Sequence, residues 1–278
     1  MAPTGTFQQQ AASAAAPPLL AGTAKQLAAV DLRDKIALVT GGTKGIGAAT
    51  AIELARRGAE LAINGRHDDA EAHSVRAAIH SLGRRCEILL GDMARPEDAA
   101  AVVGSTAAQL GALDVLVHCA GGLVPGGLFQ VDPPAWYAAF DVHVHAIYHL
   151  CRAAVPLMRQ RGEGAIVLIS SVAGLRGLHM NLCYQVVKGA IPQFARALAR
   201  ELADHNIRVN CIAPGIIRTR FHDGMTEAQR QHNLQHRIPL HREGTPQQVA
   251  TLIAEVVSND YITGETFTID GGLTMRMP

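Results

Sequence analysis

The chain has 278 residues, 48% of them hydrophobic, and a formal net charge of +1. That length and apolar content suffice for one α/β domain with a large core. The balanced charge, with no long Lys/Arg run, lacks the footprint of a nucleic-acid binder, and no run of 18 apolar residues offers a membrane-spanning helix.

Residues 1 to about 30 are dominated by Ala, Pro, Gln and Thr; Lys25 is the first charge, and Pro17-Pro18 interrupts the only apolar stretch. Such a segment buries too little surface to offset its ordering entropy, so a flexible extension is expected. A signal peptide would need a basic start and an unbroken apolar run. Residues 31–278 then form the single domain. Cys86, Cys119, Cys151, Cys183 and Cys211 show no C-x-x-C pairing, which suits buried thiols in a reducing, cytoplasmic setting.

From residue 34 onward, short β-branched runs alternate with Ala/Leu-rich stretches of helical period. Strands are predicted at 35–40, 60–64, 85–90, 113–119, 165–170, 207–212 and 266–269. Helices are predicted near 45–57, 68–82, 96–110, 134–160, 185–204 and 246–257. This alternation predicts a doubly wound, Rossmann-type parallel sheet of about seven strands with helices on both faces. Right-handed crossovers place its crevice beyond the carboxyl ends of the strands. Segment 215–244 breaks the rhythm with Arg218, Arg220, His222, His232, His236, Arg237, His241 and Arg242; it reads as a substrate lid or a solvated polar excursion.

After the first strand comes Thr40-Gly41-Gly42-Thr43-Lys44-Gly45-Ile46-Gly47. Glycines there permit a tight turn and let backbone amides approach a pyrophosphate at the positive end of the following helix. About 20 residues further on, an NAD-preferring fold usually carries an acid for the ribose 2′-hydroxyl. Here the stretch reads Ile63-Asn64-Gly65-Arg66. With no acid at that strand end, and with Arg66 and Lys44 as candidate phosphate ligands, NADP(H) is favoured and NAD(H) remains open.

Tyr184 and Lys188, at i and i+4, share a helical face, and Ser171 ends the fifth strand. Bringing a tyrosine from pKa about 10 toward 7 takes roughly 4 kcal/mol. A lysine ammonium about 5 Å away is expected to supply on the order of 3 kcal/mol. Tyr184 is therefore a candidate general acid/base, with Ser171 donating to the substrate oxygen.

As a set, these motifs resemble the short-chain dehydrogenase/reductase family, single-domain type, from about Lys35 to Gly272. The matching features include the Thr40–Gly47 loop, Asp92, Ser171, Tyr184, Lys188, the stretch Ile207 to Gly215, Thr219, and Thr263-Gly264 with Asp270-Gly271-Gly272. The resemblance implies that Asp92 and Met93 meet the adenine and that Ala120 and Gly121 line the adenosine side. It also implies that Lys188 holds the nicotinamide ribose and that Pro214, Gly215, Ile217 and Thr219 meet the nicotinamide end. It implies a homotetramer, or a homodimer, built on helices near 134–160 and 185–204. Two positions depart from the pattern. His118-Cys119-Ala120-Gly121 replaces Asn-Asn-Ala-Gly, and His143 stands where an Asn completes the catalytic group, in a role its backbone carbonyl can keep.

His143, His145 and His149 lack a completing carboxylate or cysteine, and no metal site is expected. The resulting expectation is an oxidoreductase moving hydride between NADP(H) and a ketone or secondary alcohol, like 3-oxoacyl-carrier-protein reductases or sugar 1-dehydrogenases. The alternative is a dinucleotide-binding sensor or interaction protein that has lost turnover.

Overall fold

The computed structural model describes residues 32–275, so the expected N-terminal extension lies outside it. Seven strands form one sheet: β1 (Ile36–Thr40), β2 (Glu60–Gly65), β3 (Cys86–Leu90), β4 (Val115–His118), β5 (Gly164–Ile169), β6 (Ile207–Pro214) and β7 (Thr266–Ile269). Their order is β3-β2-β1-β4-β5-β6-β7, with every neighbouring pair parallel. The inner strands are buried almost end to end, which is why they read as continuous apolar runs and not as alternating ones. The outer strands β3 and β7 are only partly covered.

Parallel strands need crossovers, supplied by α1 (Gly45–Arg56), α2 (Ala70–Ser81), α3 (Pro96–Leu110), α4 (Pro133–Phe140), α5 (Ala146–Arg161), α6 (Leu182–Leu202) and α8 (Pro246–Ser258). Successive strand residues enter opposite cores. Leu38, Leu116 and Ile166 pack with Leu150 of α5 and Ile191 of α6, whereas Val39, Val117 and Val167 pack with Leu54 of α1 and Ile253 of α8. Each such buried side chain contributes about 1.5–3 kcal/mol. The helix starts follow local chemistry: Asp69 and Asp132 accept from Ala72 and Ala135 amides, and Thr245 forms a capping box with Gln248. Arg208 on β6 donates to the carbonyls of Val256 and Ile262, fastening the end of α8 to the sheet.

Two expectations change. The single helix near 134–160 is two helices separated by a π-turn at Asp141–His145. There the Val142 carbonyl faces His118 Nε2 at 3.3 Å and the His143 ring turns inward, so side-chain contacts from β4 compete with regular helical register. Segment 215–244 is more ordered than a plain excursion. It holds α7 (Glu227–His232) and a second π-turn, and its ends meet in an isolated bridge between Ile217 and Gly244. Glu243 pins it through Arg218 and Arg230 at 2.9 and 3.3 Å. No described helix is long and apolar enough to cross a membrane.

Candidate active site

The crevice opens where β1 and β4 part company in winding direction. Gly41, at φ +63°, lies so close to β4 that a Cβ would come within 2.8 Å of the Ala120 nitrogen, and one on Gly47 would reach 2.1 Å from the Gly41 carbonyl oxygen. The chain can therefore turn tightly into α1 only with glycine at both places. Lys44 is the N-cap of α1 but gives no side-chain cap, and the first turn carries no acid. The leading amides of Gly45, Ile46 and Gly47 thus keep their positive end for an anion, which fits a dinucleotide pyrophosphate. The methyl of Thr219 lies 3.5 Å from where a Gly45 Cβ would be, so the glycine turn and the start of segment 215–244 face each other.

Asn64, which the motifs did not single out, secures this turn. Its amide donates to the carbonyls of Leu89 and Gly91, both at 3.1 Å, and its oxygen lies 3.5 Å from the Gly41 nitrogen. Thr43 is buried against Gly65. Asp92 accepts from the Ala94 amide, while the Met93 side chain is buried in the core, leaving only its backbone for a ligand. Gly121 abuts the His143 ring; Pro214 ends β6, Gly215 packs on Asp270, and Ile217 is buried.

Arg66 stands exposed just after β2 with no ion pair among the described residues. Lys44 does not. Its ammonium meets Glu71 at 2.8 Å and Asp69 at 2.9 Å, and Arg220 reaches the same Glu71 at 3.1 Å. The hydrogen bonds that Lys44 donates to Glu71 and Asp69 hold its pKa above the ordinary value. The expectation that no carboxylate is at hand for a 2′-phosphate is corrected: the start of α2 brings two beside Lys44, leaving Arg66 as the open cation.

Tyr184 and Lys188 project from α6, both largely buried at 9% and 7% exposure. Lys188 Nζ donates to the Ile169 carbonyl at 2.8 Å and sits 5.8 Å from the Tyr184 ring centroid. Ser171 caps a 3-10 turn by accepting from the Ala173 amide at 3.1 Å, and its side chain acts to lower the Tyr184 pKa. Ser170 donates to the Lys188 carbonyl at 2.6 Å, and a Cβ on Gly174 would lie 2.5 Å from the Lys188 carbonyl carbon. Neither residue shows a spacing signal in sequence, yet both fix α6 against β5. Burial pushes the Tyr184 phenol up to about 12, with only the Ser171 bond opposing, and pushes Lys188 down to about 8. The expected lowering of Tyr184 by Lys188 is thus corrected. The ammonium is turned to a carbonyl and is itself desolvated, so in the protein alone the desolvation of the phenolate wins.

The three histidines read together in sequence go separate ways. His145 pairs with Asp141 at 2.8 Å on the surface, His149 stacks edgewise on Tyr148, and His143 is 1% exposed. No cluster of three His, Cys, Asp or Glu able to hold a metal occurs among the described residues. The His143 ring meets Tyr184 edgewise, centroids 6.1 Å apart. Its Nε2 lies 2.9 Å from the Gly122 carbonyl oxygen and 3.3 Å from the Gly122 amide nitrogen, and the buried Nδ1 has no partner among the described residues. His118 braces the end of β4: Nε2 faces the Val142 carbonyl, and Nδ1 accepts from the Thr40 hydroxyl at 2.8 Å. The strand therefore keeps side-chain hydrogen bonds despite its departure from the Asn pattern.

Burial lowers His118 to about 3 and His143 to about 2. Their folded pKa values fall below the unfolded value near 6.5, so the stability tied to their neutral forms is present above pH 6.5 and is lost as pH falls toward 3. Each proton of difference costs about 1.4 kcal/mol per pH unit. Replacing His118 by Asn should flatten the fall in melting temperature between pH 6 and 4, relative to each variant's value at pH 7.5. An unchanged slope in pH-resolved melting curves would refute the burial argument.

Comparison with known proteins identifies the class. A family profile described as enoyl-(acyl carrier protein) reductase matches residues 41–274. The chain belongs to the short-chain dehydrogenase/reductase family and is an NAD(P)-dependent oxidoreductase of it. It is 35% identical over 244 residues to the 3-oxoacyl-[acyl-carrier-protein] reductase FabG of Chlamydia muridarum, covering 87% of this chain and 98% of that one. It is 34% identical over 252 residues to the L-rhamnose 1-dehydrogenase (NAD(P)(+)) of a Sphingomonas species, covering 88% and 98%. Among solved structures it resembles the L-sorbose reductase of Gluconobacter frateurii complexed with NADPH and L-sorbose. That similarity has a TM-score of 0.84 at 29% identity and covers 90% of this chain and 100% of that one.

Proposed function

We propose that the chain interconverts a ketone and a secondary alcohol with NADP(H), using Tyr184 as the proton donor in reduction and the acceptor in oxidation. The observation that carries this is the buried Tyr184 on α6 with the Lys188 ammonium 5.8 Å from its ring and Ser171 acting on its phenol. The nicotinamide, when bound, supplies or takes the hydride. Ser171 and Tyr184 hydrogen-bond the substrate oxygen, so charge developing there meets two fixed donors. Lys188 favours the phenolate after proton transfer, and the His143 backbone supports the same site. A turnover screen with both cofactors across keto-acyl, sugar and other ketones tests the reading; no ketone-dependent oxidation of either cofactor would remove it.

Preference for NADP(H) rests on Arg66. A guanidinium with no ion pair can take a 2′-phosphate bidentately, whereas Lys44 is already shared between Asp69 and Glu71. The L-sorbose reductase relative was solved with NADPH, which points the same way. NADPH should be used at least tenfold better than NADH by kcat/KM, and Arg66→Asp should reverse the order by removing the fork and repelling the phosphate. Equal kcat/KM for the two cofactors in the unaltered protein would count against it.

Segment 215–244 acts in this reading as the substrate lid, tied to the cofactor side through Arg220 and Glu71. The protein works as a homotetramer through α4, α5 and α6, a mass that light scattering reads directly. Five unpaired thiols support a reducing, cytoplasmic setting.

A further inference from the structure

A cavity of about 320 Å³ adjoins the turn that Ser171 caps. Val172 and Ala173 of that turn form one wall, Arg176 and Leu178 follow, and Arg237 and Thr274 close the other side. Ser171 accepts the Ala173 amide, so the cavity shares its wall with the candidate catalytic serine.

The charge of this wall is one-sided. Three other arginines of the neighbouring segment are neutralised, Arg218 and Arg230 by Glu243 and Arg220 by Glu71, while Arg242, which does not line the cavity, donates to Gln248. Arg176 donates only to its neighbour's carbonyl, and Arg237 only to the Asn233 side-chain oxygen at 2.8 Å; neither has a carboxylate among the described residues. No acidic side chain among the described residues lines the cavity. The nearby Asp270 carboxylate is already taken by the Gly272 and Thr274 amides and the Thr274 hydroxyl, at 2.7 to 2.8 Å. On the other side of the site, the cavity beside His143 is walled mostly by apolar side chains such as Leu123, Val124 and Val131. Two guanidiniums unopposed by carboxylate, set beside a concave wall next to the reacting centre, match the oxygens of an anion.

We propose that Arg176 and Arg237 form an anion subsite, and that the physiological ketone carries a carboxylate or phosphate lodged there. The proposal rests on the ketone-reductase reading and narrows its substrate class. An anionic group held in this subsite keeps the rest of the molecule over Ser171 and Tyr184, so binding energy from a remote charge is spent on positioning.

The test compares acetoacetate, its neutral ethyl ester and acetoacetyl-coenzyme A in the unaltered protein, Arg176→Gln and Arg237→Gln. The kcat/KM ratio of an anionic substrate to the ester should fall tenfold or more in each variant. Acetoacetate showing the fall identifies a small carboxylate as the source, and the thioester alone showing it identifies a phosphate on a carrier arm. A fall below threefold for both anionic substrates overturns the proposal. Should the variants fold poorly, salt decides in the unaltered protein: KM for the anionic substrate should rise with ionic strength while KM for the ester stays level, and parallel behaviour overturns the subsite. If none of the three compounds turns over and no other ketone does, the reductase reading falls instead. Calorimetric titration of inorganic phosphate into the NADPH-loaded protein then reads the subsite alone: binding lost in Arg176→Gln supports it, and equal or absent binding overturns it.

Discussion

Tyr184→Phe should lower turnover at least 10²-fold while leaving the affinity for NADPH nearly unchanged. The substitution keeps the ring that packs against His143 and Phe221 and removes only the hydroxyl. Loss of a positioned general acid typically costs 10²–10⁴-fold. The proton is needed at the substrate oxygen in the transition state, so the deficit belongs in kcat and not in cofactor binding. Steady-state kinetics and cofactor-fluorescence titration separate the two. A variant retaining more than about a tenth of the kcat of the unaltered protein on its best substrate would remove Tyr184 from the mechanism.

Lys188→Met should cost a similar factor in turnover yet raise thermal stability at pH 7. Burial lowers this lysine to about 8, so at pH 7 the protein still carries a charge that has lost most of its hydration. A folded pKa below the ordinary 10.5 means that stability increases as pH rises from about 8 to 10.5, where only the unfolded chain remains protonated. Below pH 8 the full penalty of the buried charge is present. An apolar side chain of similar length removes that penalty, and replacing buried charge by hydrophobe is often neutral or stabilising by roughly 1–4 kcal/mol. Differential scanning calorimetry at pH 7 and 9.5 checks this: the gain over the unaltered protein should shrink at the higher pH. A variant that is both inactive and less stable at pH 7 would show that the contact with the Ile169 carbonyl outweighs the desolvation.

Most of the sheet could be read from the residues because its inner strands are buried on both faces, leaving near-continuous apolar runs such as Ile36–Thr40. The π-turn at Asp141–His145 could not. Its residues keep a helical period, and its cause lies in His118, far away along the chain, reaching the Val142 carbonyl. Lys44 shows the same limit. Counting the end of β2 finds no acid, but the start of α2 folds Asp69 and Glu71 onto the lysine. Chemical type at fixed spacing brought Ser171, Tyr184 and Lys188 to notice. The direction of the Tyr184 shift depends on how thoroughly the fold excludes water from it, which a one-dimensional pattern does not record.

The lock between Ser170, Gly174 and Lys188 separates two jobs. The groups proposed to move the proton ride on β5, its turn and α6, which are joined by the Ser170 hydroxyl on the Lys188 carbonyl and by the close approach of Gly174 to the Lys188 backbone, with no room there for an added methyl. Segment 215–244 reaches Tyr184 through the ring of Phe221, 5.8 Å away, meets the rest of the domain through Arg220–Glu71 and Leu240–Gly271, and is braced within itself by Glu243 and the Ile217–Gly244 bridge. Such a module can accumulate changes in length and charge without disturbing the alignment of the reacting groups. Selection acting on what the protein accepts can therefore proceed in one part of the molecule while the chemistry is inherited intact in another.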